Sequence, residues 1–251
     1  MQCGHVVQWM FEALYELNQV SVNNRNGRLA LDSINLRIEH GERVVILGAN
    51  GSGKSTLLHM LNALILPDSG ECKVEGMRIN RKTLQNRQWE RGFRRRVALM
   101  FQQPEAMLFN PTVEEEIRYG LRDDPTASRS DRVLQWARWL GLENCLENSP
   151  WELSGGEKQR LCLACLLAPA PEVLLLDEPT ANLDPKTAGW LLDWLRDRSL
   201  TTVVATHHIG WTAELGDRVI VIGEDHRISF DGLAKEVLAD RNLLLANNLT
   251  F

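Results

Sequence analysis

The chain has 251 residues, of which 44% are hydrophobic and 24% are charged, a composition that allows a globular protein with a sizeable core. Its formal net charge of −5 argues against nucleic acid as a main partner, because proteins that bind nucleic acid carry basic surfaces. No apolar run approaches the roughly 18 residues that a membrane-spanning helix needs, the N-terminus lacks a secretory-signal pattern, and five cysteines without regular spacing favour a reducing cytosol.

Short apolar runs that predict strands alternate with apolar residues at helical spacing along most of the chain. Residues 1–10 match neither pattern. The predicted strands are 15–22, 29–38, 43–47, 71–77, 97–101, 173–176, 201–205, 218–222 and 227–230. Helices are predicted from Leu57 onward, after Thr112, and at 133–142, 153–167, 187–197 and 233–245.

This alternation predicts an α/β fold with a largely parallel core sheet that is covered on both faces. The composition changes between Gln102 and Trp151, where a helical subdomain is expected within the α/β core. We therefore predict one domain over 1–251, in which a core and a β subdomain cover about 11–101 and 152–251 and the helical subdomain covers about 102–151.

The segment 78–96 is polar and basic, and its densest run is Arg94, Arg95 and Arg96. A run of this kind is typical of a solvated surface segment, which is the favoured interpretation. The alternative is a face that lies close to anionic lipid or to a membrane partner.

Two cysteines, Cys162 and Cys165, have the C-x-x-C spacing that also occurs in metal and redox sites. They fall in a predicted apolar helix, where a free cysteine behaves as a small hydrophobic residue. Packing is therefore favoured over metal or redox chemistry.

A phosphate-binding loop is predicted between the strand 43–47 and the helix that follows it. Two glycines separated by four residues, then Lys54 and Ser55, allow backbone N–H groups to face phosphate oxygens at a helix N-terminus. Lys54 can reach the β- and γ-phosphates, and the Ser55 hydroxyl is a natural Mg²⁺ ligand. The predicted nucleotide-binding residues of this loop are Gly48, Ala49, Asn50, Gly51, Ser52, Gly53, Lys54, Ser55 and Thr56.

Polar side chains lie at or just past the ends of three of the predicted strands. Asp177 ends a buried strand, so its carboxylate is expected at the sheet edge where ligands bind, opposite Ser55, as a Mg²⁺ ligand. Glu178 beside it is the predicted general base for an attacking water. Gln102 is expected to reach both the metal and this water, and His207 to donate a hydrogen bond to the γ-phosphate.

A second anion site is predicted at Ser154, Gly155 and Gly156, which open the helix 153–167. Ser154 is a good N-cap residue, and the two glycines leave backbone N–H groups open. One phosphate loop and a separate second anion site in the same chain suggest that two chains enclose the nucleotide between them.

The sequence Leu153-Ser-Gly-Gly-Glu-Lys-Gln-Arg160 resembles the signature of ABC-type ATPases, which combine it with a phosphate loop. By this resemblance Gln102 corresponds to the glutamine of the Q-loop, and His207 corresponds to the switch histidine. Asp177 corresponds to the Walker B aspartate and Glu178 to the catalytic glutamate. Residues 181–184 correspond to the D-loop. It implies a P-loop NTPase, RecA-like α/β core with an antiparallel β subdomain at its edge. The implied catalytic residues are Glu178, His207, Gln102 and Lys54, and the implied metal ligands are Ser55, Gln102 and Asp177.

The family resemblance also implies cofactors and partners. ATP and Mg²⁺ are the expected cofactors, and a homodimer or heterodimer holds two ATP molecules at its head-to-tail interface. A transmembrane transporter subunit is the expected partner, so the chain would lie at the cytoplasmic face of the cell membrane through that partner alone.

The segment 101–117 resembles energy-coupling-factor ATPases, which power the uptake of cobalt, nickel or vitamins, and which place this segment beside the groove for the membrane subunit. The alternatives are another importer class, or a soluble ABC-type ATPase such as one in iron–sulfur cluster assembly.

Asn24 departs from the family pattern, because it falls where an aromatic residue usually stacks on adenine. Stacking of a base on an aromatic ring contributes about 1–3 kcal/mol in nucleic-acid sites. Without it, the phosphate loop must supply more of the binding energy, which predicts weak discrimination between ATP and GTP.

Overall fold

A computed structural model describes residues 13–24, 26–122, 129–181, 183–196, 198 and 200–249. The expectations for residues 1–10, for Asn182 in the resemblance to the D-loop and for Asp197 at a helix end lie outside the described residues. Across the described part of the chain, no helix combines the length and the apolar character that crossing a bilayer requires.

The strands are β1 (Tyr15–Asn23), β2 (Leu29–Ile38), β3 (Arg43–Leu47), β4 (Ser69–Val74), β5 (Met77–Arg78), β6 (Val97–Met100), β7 (Val173–Asp177), β8 (Thr201–Thr206), β9 (Arg218–Ile222) and β10 (Ile228–Leu233). The helices are α1 (Lys54–Leu61), α2 (Arg81–Gln85), α3 (Arg87–Arg96), α4 (Val113–Gly120), α5 (Arg129–Trp139), α6 (Gly155–Leu167), α7 (Pro185–Arg196), α8 (Thr212–Leu215), α9 (Ala234–Ala239) and α10 (Arg241–Ala246).

A mixed six-stranded sheet with the order β10-β9-β3-β8-β7-β6 forms the centre of the fold. All neighbouring strands are parallel except β10, which pairs antiparallel with β9. Every residue of β7 and β8 is buried, which explains their unbroken apolar runs, because a central parallel strand is covered on both faces. The carboxyl ends of β3, β7 and β8 therefore meet at one edge, where the predicted site residues follow.

A second, four-stranded antiparallel sheet has the order β2-β1-β4-β5, as the resemblance implied. Successive residues of β3 point to opposite faces of the central sheet, and this alternation separates two apolar clusters. Val44 and Ile46 pack in the cluster that contains β1 and β2, whereas Val45 and Leu47 pack in the cluster that contains α4, α5 and α6.

The predicted helical block packs on the second of these clusters. Val113 and Ile117 of α4 and Trp136 of α5 are buried together with Leu161 of α6 and with Met100 of β6. Thr112 caps α4 by accepting a hydrogen bond from the Glu115 N–H, which agrees with the predicted helix start. The division of the chain near residues 102 and 151 stays a prediction.

The sequence prediction is wrong in several places, one of which is the predicted strand 71–77, which is divided into β4 and β5. The basic segment forms two helices, α2 and α3, which were not predicted. Charged residues dominate the segment, so its narrow apolar stripe, which includes the buried Phe93, is not evident as a helical pattern in the sequence. The C-terminal segment is two helices rather than one, because the chain breaks at Asp240, whose side chain accepts a hydrogen bond from the Leu243 N–H and caps α10.

The interpretation of the arginine run as solvated surface is wrong for two of its residues. The Arg94 guanidinium donates to the backbone and side-chain oxygens of Asn62, the latter at 2.8 Å, at the end of α1. The Arg96 guanidinium binds Glu75 and, at 2.8 Å, Glu172. The arginine run is therefore half-buried rather than fully solvated. Its hydrogen bonds and ion pairs hold α3 against the neighbouring elements.

The Cys162 side chain is fully buried in the apolar part of α6, and burial raises the pKa of its thiol to about 12. A thiol that stays protonated is a poor metal ligand and a poor nucleophile. The structure therefore favours packing for Cys162.

We expect Cys162→Ser to lower the free energy of unfolding by about 1–3 kcal/mol, because it brings a hydroxyl group into apolar surroundings. Cys162→Ala should cost less, since it removes the sulfur without adding a polar group. Urea unfolding of both variants measures the difference. Equal losses in the two variants would contradict an apolar packing role.

Candidate active site

The predicted phosphate loop lies between β3 and α1 and is pressed against the backbones of β2 and β9. A Cβ atom on Gly53, whose φ is +113°, would lie 2.2 Å from the Ala30 carbonyl oxygen. A Cβ atom on Gly48 would lie 2.7 Å from the Ile222 carbonyl oxygen. These two glycines are required because neighbouring backbones occupy the space of a side chain, so the loop has a fixed shape.

Lys54 and Ser52 supply the polar groups of the loop. The Lys54 ammonium donates hydrogen bonds to the carbonyl oxygens of Gly48 at 2.8 Å and Ala49 at 3.0 Å. Burial lowers the pKa of Lys54, while the nearby carboxylates of Glu178 and Asp177 oppose that shift. The buried Ser52 hydroxyl has no hydrogen-bond partner among the described residues, so it is a donor that a phosphate oxygen would satisfy. These groups fit a nucleotide phosphate.

Asp177, at the end of β7, lies beside Ser55 of α1 in the same cavity. Burial raises the pKa of the Asp177 carboxyl, and the hydrogen bond from Ser55 partly offsets this shift. A hydroxyl and a carboxylate side by side are the oxygen ligands that Mg²⁺ prefers. Gln102, the third predicted ligand, is exposed and lines the same cavity as Ser55 and Asp177.

Glu178 is 4% exposed and is held by hydrogen bonds to both of its carboxylate oxygens. Thr206 donates its hydroxyl to Oε2 at 2.9 Å, and His207 donates its backbone N–H to Oε1 at 2.9 Å. The His207 Nδ1 atom also lies 2.5 Å from Oε1. The structure thus brings the predicted base and the predicted switch histidine together.

The backbone of Glu178 is also unusual, because its φ is +50°, in the left-handed region. Such a conformation costs of order 1 kcal/mol or more in a residue other than glycine, so the surrounding structure must maintain it. Its N–H donates to the Ala205 carbonyl at 2.9 Å, and the buried Gln159 amide donates to the Pro179 carbonyl at 2.8 Å. Gln159 of α6 therefore fixes the turn that aims Glu178. Sequence reasoning gave Gln159 no role.

A cavity of about 550 Å³ opens over the phosphate loop. Its lining includes Asn24, Arg28 and His226 in addition to the predicted residues. His226 has a φ of +64° in the β9–β10 turn, and its Nδ1 atom lies 3.1 Å from the Ser52 carbonyl oxygen. Sequence reasoning missed Arg28 and His226, since the contact of His226 with the loop spans 174 positions.

Asn24 builds the turn between β1 and β2. Its side-chain oxygen accepts hydrogen bonds from the N–H groups of Asn26 at 2.9 Å and Arg28 at 3.0 Å, and its own N–H donates to the Arg28 carbonyl at 2.7 Å. This asparagine therefore holds Arg28 at the cavity. The planar guanidinium of Arg28 is able to stack on a base in place of the missing aromatic ring.

The predicted second anion site lies elsewhere on the surface. Ser154 forms a capping box with Glu157 at the start of α6, where the Ser154 N–H donates to the Glu157 carboxylate at 2.9 Å. These hydrogen bonds from Ser154 lower the pKa of Glu157. Ser154, Gly155 and Gly156 are not among the residues that line the cavity over the phosphate loop. Within one chain, the two predicted phosphate-binding elements are not brought together.

The chain is similar to transport ATPases along most of its length. The family described as "ABC transporter" matches residues 31–181. A protein of Methanosarcina acetivorans, named as an ABC transporter ATP-binding protein, is 40% identical over 94% of this chain and 88% of its own length. The energy-coupling factor transporter ATP-binding protein EcfA of Methanothermobacter thermautotrophicus is 34% identical over 92% of this chain and 74% of its own length.

A solved structure has a similar fold over nearly the whole chain. It is cbiO1 of Clostridium perfringens, described as part of the ABC transporter complex cbiONQ. The two structures have a TM-score of 0.75 and 30% sequence identity, and the match covers 96% of each chain.

We expect Glu178→Gln to bind ATP and to reduce hydrolysis by about 10²–10⁴-fold, because the amide cannot accept a proton from water. ATP should then hold two chains together in a closed dimer. Single-turnover hydrolysis and size-exclusion chromatography with ATP measure both effects. Hydrolysis at the wild-type rate would exclude Glu178 as the base.

We expect Arg28→Ala to weaken ATP binding by about 1 kcal/mol or more while the rate at saturating ATP changes little. Arg28→Lys should not restore the affinity, because an ammonium group cannot stack as a planar guanidinium does. The exposed Arg81 of α2, outside the cavity, provides the matched control Arg81→Ala.

Competition binding of ATP and GTP to these variants gives the affinities. The wild type should discriminate weakly between the two nucleotides. Unchanged ATP affinity in Arg28→Ala, or a strong preference for ATP that survives in it, would show that another residue contacts the base.

Proposed function

Because this chain belongs to the ATP-binding subunits of ABC transporters, we propose that it powers a membrane importer of the energy-coupling-factor type. It is an ATPase, and its family membership makes ATP its nucleotide. The likeness to EcfA and to cbiO1 supports this particular type of transporter. A transition metal ion such as cobalt or nickel, or a vitamin, is the proposed class of solute.

The observation that carries the proposal of a membrane partner is a cleft of about 930 Å³ beside the segment that resembles energy-coupling-factor ATPases. Apolar side chains of Leu64, Phe101, Tyr119 and Leu166 line it, and Arg91 is among the basic side chains at its wall. Leu64 is 49% exposed and Tyr119 42% exposed, so apolar surface is open to a partner.

We assign the catalytic roles as the family resemblance implies. Ser55, Asp177 and Gln102 would hold Mg²⁺, which neutralises phosphate charge when it is bound. Lys54 would bind the β- and γ-phosphates. Glu178 would orient and deprotonate the attacking water, while His207, which is hydrogen-bonded to Glu178, would contact the γ-phosphate.

A second ATPase chain is part of the proposal. Ser154, Gly155 and Gly156 do not line the cavity over the phosphate loop, so the N–H groups of Gly155 and Gly156 are available to the nucleotide of another chain. A head-to-tail pair would use each phosphate loop together with the partner's signature segment. Either a homodimer or a heterodimer satisfies this geometry.

The alternative of another importer class shares the same catalytic site and differs in the membrane partner. A soluble ATPase of iron–sulfur cluster assembly is less well supported, because the matching family and the relatives described above are transporter subunits.

The test is affinity purification of the tagged chain from detergent-solubilised membranes of its own organism, with identification of the bound proteins by mass spectrometry. We expect an integral membrane subunit to copurify. Leu64→Asp should abolish copurification without changing basal ATP hydrolysis, because it places a charge in the apolar cleft. Leu245→Asp is the matched control, since Leu245 is 52% exposed on α10 and lies outside the cleft.

Recovery of soluble iron–sulfur assembly proteins instead of a membrane subunit would contradict the importer. Loss of copurification in both aspartate variants would contradict the cleft as the docking site. A membrane partner that belongs to another importer class would overturn only the energy-coupling-factor type.

A further inference from the structure

We propose that Glu178, His207 and His208 form an inhibitory binding site for a first-row transition-metal ion such as Zn²⁺, Co²⁺ or Ni²⁺. This site is separate from the predicted Mg²⁺ ligands Ser55 and Asp177. A metal ion bound there would block hydrolysis, because the predicted base and the predicted switch histidine would both serve as its ligands.

The three side chains converge at the end of β8. One ligand atom from each residue lies within 4.8 Å of the other two. The Glu178 Oε1 and His207 Nδ1 atoms are 2.5 Å apart, and the ring centroids of His207 and His208 are 4.1 Å apart with an interplanar angle of 36°. Two imidazoles and a carboxylate therefore share one small volume.

Neighbouring residues of a strand normally point to opposite faces, so the side-by-side position of the two histidine rings needs a cause. The strand β8 ends at Thr206, and the Thr206 hydroxyl accepts a hydrogen bond from the His208 N–H at 3.1 Å. This hydrogen bond turns the chain directly after the strand. As a result, both rings lie on the side of Glu178.

The chemistry of this ligand set differs from that of the Mg²⁺ site. Imidazole nitrogens favour zinc, nickel and other first-row ions, whereas Mg²⁺ prefers oxygen ligands and keeps several waters. Two histidines and one glutamate are also a ligand set that binds zinc in enzymes, with a fourth position open to water. The site therefore selects transition metals over the Mg²⁺ that accompanies ATP.

Metal binding and the Glu178–His207 hydrogen bond exclude each other. Ligand atoms about 2.1 Å from a tetrahedral ion lie roughly 3.4 Å from one another. The Glu178 and His207 atoms, now 2.5 Å apart, must separate to admit an ion. The bound ion would then occupy the carboxylate that has to accept a proton during hydrolysis.

The site is open to solvent on its histidine side. The His207 side chain is 40% exposed and His208 is exposed, whereas the Glu178 side chain is only 4% exposed. An ion can enter past the two rings and meet the carboxylate behind them. His208 takes no part in the catalytic roles assigned above, so it can be substituted separately from them.

The direct test uses Co²⁺ as the probe on the nucleotide-free protein, because ATP itself binds divalent metals. Tetrahedral coordination of Co²⁺ gives visible absorption bands, which report the ligand geometry without any need for activity. We expect the wild type to develop these bands and His208→Ala to lose them. His40→Ala is the matched control, since the exposed His40 ring faces Glu75 at 3.8 Å, away from this site.

The second readout is Mg²⁺-dependent ATP hydrolysis with added Zn²⁺ at buffered free concentrations. His208→Ala should keep the wild-type basal rate, and the Zn²⁺ concentration for half inhibition should rise by about tenfold or more. His40→Ala should be inhibited like the wild type. The unchanged basal rate also shows that the His208 variant is folded.

Failure of the wild type to bind Co²⁺, or equal binding by wild type and His208→Ala, would overturn the site. Metal binding that depends on His208 but leaves hydrolysis unaffected would overturn the inhibition. Neither result bears on whether the chain serves an importer, because both readouts use the isolated protein.

Discussion

The hydrogen bonds that hold Glu178 are the interaction on which the rest of the site depends. They come from two separate parts of the chain. One is the end of β8, where Thr206 and His207 bind the carboxylate and Ala205 pairs with the backbone, and the other is Gln159 of α6, which acts through the adjoining Pro179. A buried carboxylate in a left-handed backbone conformation is costly by itself. The parallel pairing of β7 with β8 makes these contacts possible, since it brings both strand ends to one edge.

The link through Gln159 connects the helix of the predicted second anion site to the turn that carries Glu178. Gln159 lies in α6, the helix that Ser154 caps and that carries the predicted second anion site. Its amide donates directly to the turn that follows Asp177 and Glu178. A shift of α6 would therefore move the turn that carries the predicted base directly, because Gln159 is itself a residue of α6. This gives a physical route by which a partner at one end of α6 can affect hydrolysis.

The fold and the positions of most candidate site residues within it could be predicted from the sequence because their signals are local. The apolar run of β3 together with the glycines and Lys54 identifies the phosphate loop, and β2, β3 and β9 have the predicted bounds. Arg28, Gln159 and His226 could not be predicted in the same way. Their roles arise from contacts with distant segments, and none of them belongs to a run that indicates its partner. A positive φ at His226 has no signal in the sequence, since glycine would be expected there.

We infer that Gln159 positions the predicted base Glu178 for hydrolysis. The most direct measurement is the steady-state rate of Gln159→Leu, which keeps the volume of the side chain and removes its hydrogen bonds to the Pro179 and Glu178 carbonyls. At a temperature where the variant is folded, kcat should fall by about tenfold or more while KM for ATP stays close to the wild-type value, because only the transition state uses the aimed carboxylate. An unchanged kcat, or a loss confined to KM, would contradict the claim.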